Sequence, residues 1–442
     1  MTDTTREGRP PGVPETARHG GDIRGRWAWV EPEVWTARML EALECGVKGG
    51  KWFSLIDKVA AMKTLEVAWQ HVRRNQGAAG IDHVSIERFG EDAARRLTEL
   101  AQDITSGRYR PAPVRRTMIP KPGTHQTRPL GIPTVKDRIV QGALRVVLEP
   151  IFERKFADTS YGFRPRRSCR DALRRVDELL QQGHVWVVDA DIESYFDRID
   201  HGLLMGDLRE DVADGRVLEM IEAFLKGGVM EDGTVWESEC GTPQGGVISP
   251  LLSNIHLHPV DVMLQEAGYA SVRYADDLVV LCRSRGDAER ALDLLRAALA
   301  ARRLTLHPTK TRIANALDEG FDFLGYHFRN GRHWPRKTSM KKLRDAIRPH
   351  TRRTNGHSLA VIIQRINPIL RGWFAYFKHS HRRTFPEVDG WVRMRLRSIL
   401  RKRAHLRGRG RGADHQRWPN AYFTAQGLFT MTQAHAAALQ SH

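Results

Sequence analysis

Apolar positions recur three and four residues apart near both ends of the chain and gather into short continuous runs in the middle. WVEPEVWTARMLEALECGVKGGKWFSLIDKV and then KTLEVAWQHVRRNQGAAGID carry helical spacing broken by glycine-rich turns, which predicts a helical N-terminal layer. VKDRIVQGALRVVLEPIFERKF, Val135 to Phe156, is a further helical run, but it alternates with β-branched segments such as HVWVVDAD and SVRYADDLVVLCR. Helices interleaved with strands predict an α+β arrangement. Past about residue 338 the pattern turns purely helical. In SLAVIIQRINPILRGWFAYFKHSH the positions Leu359, Ile362, Ile363, Ile366, Ile369, Leu370, Trp373, Phe374 and Phe377 share one face, with Arg365, Arg371 and Lys378 among them. Pro368 lacks the donor that an inner helical turn needs, so it is expected to begin a new helix. No internal repeat is found.

One strand breaks its own pattern. In VRYADDLVVLC, residues 272–282, the acids Asp276 and Asp277 interrupt an apolar run. A tight turn at Ala275, Asp276 and Asp277 would make a hairpin with carboxylates at its tip, and aspartate is a common turn residue on any account. HVWVVDADIESYFD supplies another apolar strand, ending in Asp189 and Asp191. If the two strands are neighbours, Asp191 meets Asp276 or Asp277 at one sheet edge, where uncompensated repulsion is costly. A cation must then sit between them. Carboxylates with no His or Cys nearby select Mg²⁺ over Zn²⁺. Two such ions about 3.5 to 4 Å apart activate a 3′-hydroxyl and stabilise a departing pyrophosphate.

Charge adds a partner. The 442 residues allow two or three domains, and 41% hydrophobic with 28% charged residues is ordinary globular usage. The formal charge is +18, but Arg329 to Gly412 alone holds 24 Lys or Arg against three acids, a net +21 that leaves −3 for the rest. Trp334, Trp373, Phe374, Tyr376, Phe377 and Trp391 are interleaved with these cations, as suits phosphate neutralisation with packing against nucleic acid. Cys45, Cys169, Cys240 and Cys282 make no C-x-x-C pair, so neither a zinc knuckle nor a disulfide framework is suggested and a reducing cytosol fits. No stretch approaches about 18 apolar residues and the N-terminus has no apolar signal core, so residues 1–26 are expected to be a disordered tail.

The boxes Y-A-D-D at Tyr274 to Asp277, D-I-E-S-Y-F-D at Asp191 to Asp197 and G-T-P-Q-G-G-V-I-S-P at Gly241 to Pro250 resemble, in order and spacing, the palm motifs of reverse transcriptases encoded by group II introns. The resemblance implies a right-hand polymerase: a helical extension and start of fingers at 27–110, fingers and an antiparallel-sheet palm at 111–335, and an all-helical thumb and maturase domain at 336–410. It implies Asp191, Asp276 and Asp277 as catalytic acids, two Mg²⁺ held by these and Ile192, and dNTPs as substrates. Phe196 falls where the family crowds the sugar 2′ position. Lys121 and Arg128 match a hairpin gripping the triphosphate, although the turn between them is longer than the family pattern. Gln244, Gly245 and Gly246 match a loop touching the nascent base pair. Lys310 in HPTKT resembles a proton donor to pyrophosphate, and FDFLGYHF, Phe321 to Phe328, a primer-grip turn.

SYGFRPRRSCRDAL resembles the template-side fingers motif, which puts Arg164, Arg166 and Arg167 near phosphate. Asp197 and Asp200 are read instead as helix caps. GAAGID at Gly77 to Asp82 matches the N-terminal extension of non-retroviral members, and residues 358–404 resemble the region that binds structured intron RNA. That places Arg365, Arg371, Lys378, Arg382, Arg383, Arg401, Lys402 and Arg403 against nucleic acid. No H-N-H-like arrangement follows. Residues 411–442, with Arg417, Trp418 and Tyr422, read either as a reduced DNA-binding element or as a cap on the thumb.

The implied function is an RNA-directed DNA polymerase and maturase serving splicing and retrohoming of its own intron by target-primed reverse transcription. The implied partners are that intron RNA and a target DNA with a primer 3′ end, in a bacterial, nucleoid-associated cytoplasmic setting with no membrane. Two other readings stay open: the same enzyme in a CRISPR-linked or defence setting, or an RNA-binding splicing cofactor without catalysis.

Overall fold

A computed structural model describes residues 23–47, 49–120, 127–231, 234–236, 240–242, 245–406 and 412–440. Of the disordered tail expected at 1–26, residues 1–22 lie outside the described residues, as do Lys121 and Gln244, while Ile23–Arg26 form a helical turn, correcting that part of the expectation. Contacts divide the chain into two compact units: residues 1–120, 126–179 and 188–313, and residues 121–125, 180–187 and 314–442.

Among the described residues eleven strands occur in chain order: β1 (Val114–Pro120), β2 (Thr127–Ile132), β3 (Trp186–Asp191), β4 (Val229–Glu231), β5 (Thr234–Trp236), β6 (Ala270–Tyr274), β7 (Asp277–Cys282), β8 (Arg312–Asn315), β9 (Phe321–Phe323), β10 (Tyr326–Arg329) and β11 (Arg332–Pro335). They form three sheets, ordered β2-β1-β4-β5, β6-β7-β3-β8 and β11-β10-β9. The α+β expectation is met, and the two acid-bearing strands are neighbours, since β3 lies beside β7. In the first unit the helix Val135–Glu153 is buried along most of its length and packs against Met62–Asn75. Thr134 caps it, the hydroxyl accepting from Asp137 N. Ser249–Glu266 is the other heavily buried helix, and it packs against β6.

In the second unit the helices Lys337–Ile347, Leu359–Phe377 and Thr384–Arg403 enclose a core that includes Ile347, Ile362, Ile366, Phe385, Leu396 and Ile399. The nine apolar positions read on one face of Leu359–Phe377 are all buried or packed against that core. Pro368 does not begin a new helix, because the helix runs through it. The lost bond is that of the Gln364 carbonyl, and both Pro368 and Gln364 are exposed, so water can satisfy it. The sheet β9–β11 groups with these helices, so the contact division at 313/314 comes earlier than the change to pure helix at 337.

The last described residues belong to the same core. Phe423, Leu428 and Met431 are buried in it. Arg397 donates to Trp418 O at 2.9 Å and Asn420 Oδ1 at 2.7 Å, and Asp389 accepts from Met431 N, Thr432 N and Thr432 Oγ1 at 3.0, 3.0 and 2.7 Å. Packing therefore favours the thumb-cap reading of this segment. No helix among the described residues is long and apolar enough to cross a membrane.

Candidate active site

β6 and β7 are antiparallel from Ala270 opposite Leu281 to Tyr274 opposite Asp277, which leaves Ala275 and Asp276 as a two-residue turn. Ala275 has φ of 59°, a conformation that hairpin turns use and that alanine tolerates poorly. The surroundings hold it there. Gly162 lies so close that a Cβ on it would sit 2.2 Å from Ala275 N, so no other residue fits at 162 without moving the turn.

Arg273, immediately before Tyr274, is fully buried. Its Nε and Nη2 donate to the two carboxylate oxygens of Asp261 at 2.7 and 2.5 Å. Its Nη1 reaches Asn254 Oδ1 at 3.0 Å and Ala275 O at 2.9 Å, and Asn254 Nδ2 donates to Gly162 O at 2.8 Å. One guanidinium thus ties the helix Ser249–Glu266 to the turn. This brace was missed in the sequence, although an arginine inside a run of buried strand positions was a visible signal.

The turn carries Asp276 into partial burial. Its carboxyl is pushed above the usual range by burial first and then by the charge of Asp191, with Arg273 pulling the other way. Asp191 ends β3, where its carbonyl accepts from His307 N at 2.7 Å, and Lys310 Nζ donates to its Oδ2 at 2.9 Å. Positions 191 and 276 thus lie at the ends of neighbouring elements, and the charge of Asp191 is felt at Asp276. Among the described residues no three His, Cys, Asp or Glu side chains form a group that could hold a metal ion. Asp277 is exposed while Asp276 is mostly covered. An oxygen-only carboxylate made costlier to ionise by burial and by a second one nearby, with an ammonium drawn to that second acid, suits a hard divalent cation. Ile192 follows at a bridge to Leu306. Its side chain is apolar and buried, so only its carbonyl could serve.

Phe196 is half-buried in the short turn Tyr195–Asp197. Thr242 N donates to its carbonyl at 2.8 Å and Gly241 N to Ile199 O at 2.8 Å, so the glycine-rich loop is docked on that turn. Gly245 has φ of 118°, and a Cβ there would lie 2.4 Å from Gly131 O. Its glycine requirement is accordingly met inside the protein, by a close approach to β2. Gly246 follows at intermediate exposure. Gln244, Lys121 and the side chain of Arg128 lie outside the described residues. Asp200 is the expected cap, accepting from Leu203 N at 2.8 Å. Asp197 caps nothing and lies within the turn itself.

Arg164 corrects an expectation. It is buried, forked onto Glu153 at 2.7 to 3.1 Å, and donates to Ala157 O and Ser160 O at 2.6 and 2.9 Å. A guanidinium so committed is not presented to phosphate. Arg166 is exposed and donates to Gly25 O and Arg26 O at 3.1 and 3.3 Å. In the second unit Arg365, Arg371, Arg382, Arg383, Lys402 and Arg403 are exposed and Lys378 is half-buried. Arg371 lies 4.6 Å above the Phe429 ring. Arg401 is instead drawn inward, 2.7 Å from the buried Asp414. Leu324 and Gly325, with φ of 46° and 83°, form a two-residue turn between β9 and β10, as FDFLGYHF suggested. Tyr376 OH donates to Leu324 O at 2.8 Å and Tyr326 OH to Tyr376 O at 2.7 Å, clamping it to the helix Leu359–Phe377.

Two family models match: reverse transcriptase (RNA-dependent DNA polymerase) over residues 119–328, and the group II intron maturase-specific domain over 340–418. Group II intron-encoded protein LtrA of Lactococcus lactis subsp. cremoris is 41% identical over 197 residues, 44% of this chain and 32% of LtrA. The chain thus spans about a third of that relative's length. Protein YkfC of Escherichia coli K12 is 33% identical over 339 residues, 68% of this chain and 85% of YkfC. Among solved structures, a chain of a partial Cas6-RT-Cas1–Cas2 complex aligns over 56% of this chain and 43% of its own, with 22% identity and a TM-score of 0.37. With both domain models in sequence and a relative matched across most of its length, the chain belongs to the group II intron-encoded proteins that join a reverse transcriptase domain to a maturase-specific domain.

Proposed function

We propose that the protein is an RNA-directed DNA polymerase that also binds the group II intron RNA encoding it and assists its splicing. Intron mobility would follow by target-primed reverse transcription, in the cytoplasm at the nucleoid of a bacterium. The observation that carries the reading is that the carboxyl of Asp276, at the β6–β7 turn, is made costlier to ionise by burial and by the charge of Asp191 at the end of the neighbouring β3.

When bound, Mg²⁺ supplies Lewis-acid stabilisation of phosphoryl oxygens and lowers the pKa of the primer 3′-hydroxyl. Asp191, Asp276 and the Ile192 carbonyl are the groups to hold two such ions, with Asp277 adding negative field from its exposed position. Lys310, already on Asp191, is the proton-bearing group available to the departing pyrophosphate. Phe196 walls the sugar 2′ position and so favours dNTPs. Lys121 and Arg128 neutralise the triphosphate, while Gln244, Gly245 and Gly246 back the nascent base pair. The exposed cations of the helical unit neutralise RNA phosphates.

Incorporation of dTTP on poly(rA)/oligo(dT) with Mg²⁺, run beside Asp276→Asn, tests the enzyme. Splicing assistance without any incorporation would leave only the RNA-binding cofactor. Affinity for the intron RNA should fall steeply between 50 and 200 mM salt, by about 10³-fold if six phosphates are neutralised; a flat response would contradict the assigned RNA face.

A further inference from the structure

Phe163 is 42% exposed, and its backbone has φ of 60°. Both features are unfavourable: a large apolar ring is left in water, and the left-handed region crowds any β-carbon. Glycine would adopt this conformation at less cost. The backbone on either side is pinned. Before it, Tyr161 N donates to Arg273 O at 2.8 Å, Gly162 O accepts from Asn254, and Gly162 is wedged against Ala275 of the catalytic turn. After it, Arg164 is buried and bonded to Glu153 and to the carbonyls of Ala157 and Ser160. The ring is therefore projected from a rigid support one residue away from the contact with the Asp276 turn. Strain of this kind gathers at functional positions.

We propose that Phe163 is a base-stacking residue whose ring packs on a nucleobase of the template–primer bound at the β6–β7 turn. The assignment rests on the polymerase reading above. Every base offers a π-face, so such a contact is indifferent to sequence, as a polymerase copying any template needs. A single aromatic–base stack changes affinity about 5- to 150-fold, enough to offset the conformation in which the ring is held.

The test uses the full chain with an RNA template and DNA primer carrying 2-aminopurine at the templating position, reading fluorescence quenching, equilibrium affinity and melting temperature. Phe163→Gly should melt at or above the parent temperature, because it relieves the positive φ, yet bind template–primer about 10-fold more weakly with the quenching lost. Phe163→Tyr should bind and quench as the parent does. Unchanged affinity and quenching in Phe163→Gly would overturn the assignment. So would weaker binding accompanied by a fall in melting temperature, or a Tyr variant that behaves like Gly. These readouts need no catalysis, so they stand apart from Asp276→Asn, whose retained incorporation would sink the polymerase reading itself.

Discussion

In the unit that holds the β6–β7 hairpin, Asp276 is largely covered and its chief charged neighbour of like sign is Asp191. In the helical unit Asp389 and Asp414 are more deeply buried, but each is matched: Asp389 by two backbone amides and a hydroxyl, Asp414 by Arg401. Arg273 repeats the contrast within the first unit. Its guanidinium is satisfied by Asp261, Asn254 and Ala275, and what that stability holds in place is a turn bearing an acid that burial and the charge of Asp191 make costlier to ionise. Burying a carboxylate with its donors builds a fold. Burying one against another leaves a site that a cation can relieve.

The largest expected effect is at the repelling pair. Asp276→Asn should lower nucleotide incorporation about 10³-fold or more, since metal stabilisation of the transition state supplies several kcal/mol. Its melting temperature should hold or rise as the repulsion disappears; a marked fall would mean that Asp276 is a structural acid like Asp389. Arg273→Lys keeps the charge but loses the fork, so the single-turnover rate should drop about 10- to 100-fold through misplacement of the turn. An unchanged rate would separate the brace from the site. Asp389→Ala should cost about 2 kcal/mol, as a buried cap and acceptor, seen as a lower denaturation midpoint with the incorporation rate per folded molecule unchanged.

The last effect is absent at neutral pH. His256 is buried, and burial first and then the charge of Arg302 depress its pKa from 6.5 to about 3. Arg302 donates to its Nδ1 at 2.8 Å. The unfolded chain therefore binds the proton first, so the stability owed to neutral His256 is complete above pH 6.5 and is lost progressively as pH falls from there toward 3. His256→Gln should flatten that acid limb in chemical denaturation between pH 7 and 4, and an unaltered limb would place the acid sensitivity elsewhere.

Much of the fold was legible because it is written in local periods. The buried face of Leu359–Phe377 and the hairpin of VRYADDLVVLC follow from spacings of three to four and of two residues, which a chain carries whatever packs against it. The candidate site was legible in part: the acids at 191 and 276 stand out against apolar strands. Arg164 and Arg401 were misread because an arginine looks the same in sequence whether it meets a phosphate or a carboxylate such as Glu153 or Asp414.

By itself, then, the order of residues determined which segments are helix or strand, which faces are apolar, and which acids are too conspicuous to be ordinary surface groups. Tertiary structure alone decided that Arg273 reaches Asp261 and Ala275, that Pro368 is tolerated on an exposed helical face, that Gly162 presses against the β6–β7 turn, and that Phe163 is left partly in solvent. Each of these depends on which groups meet across long separations in the chain, and no local period encodes such a meeting.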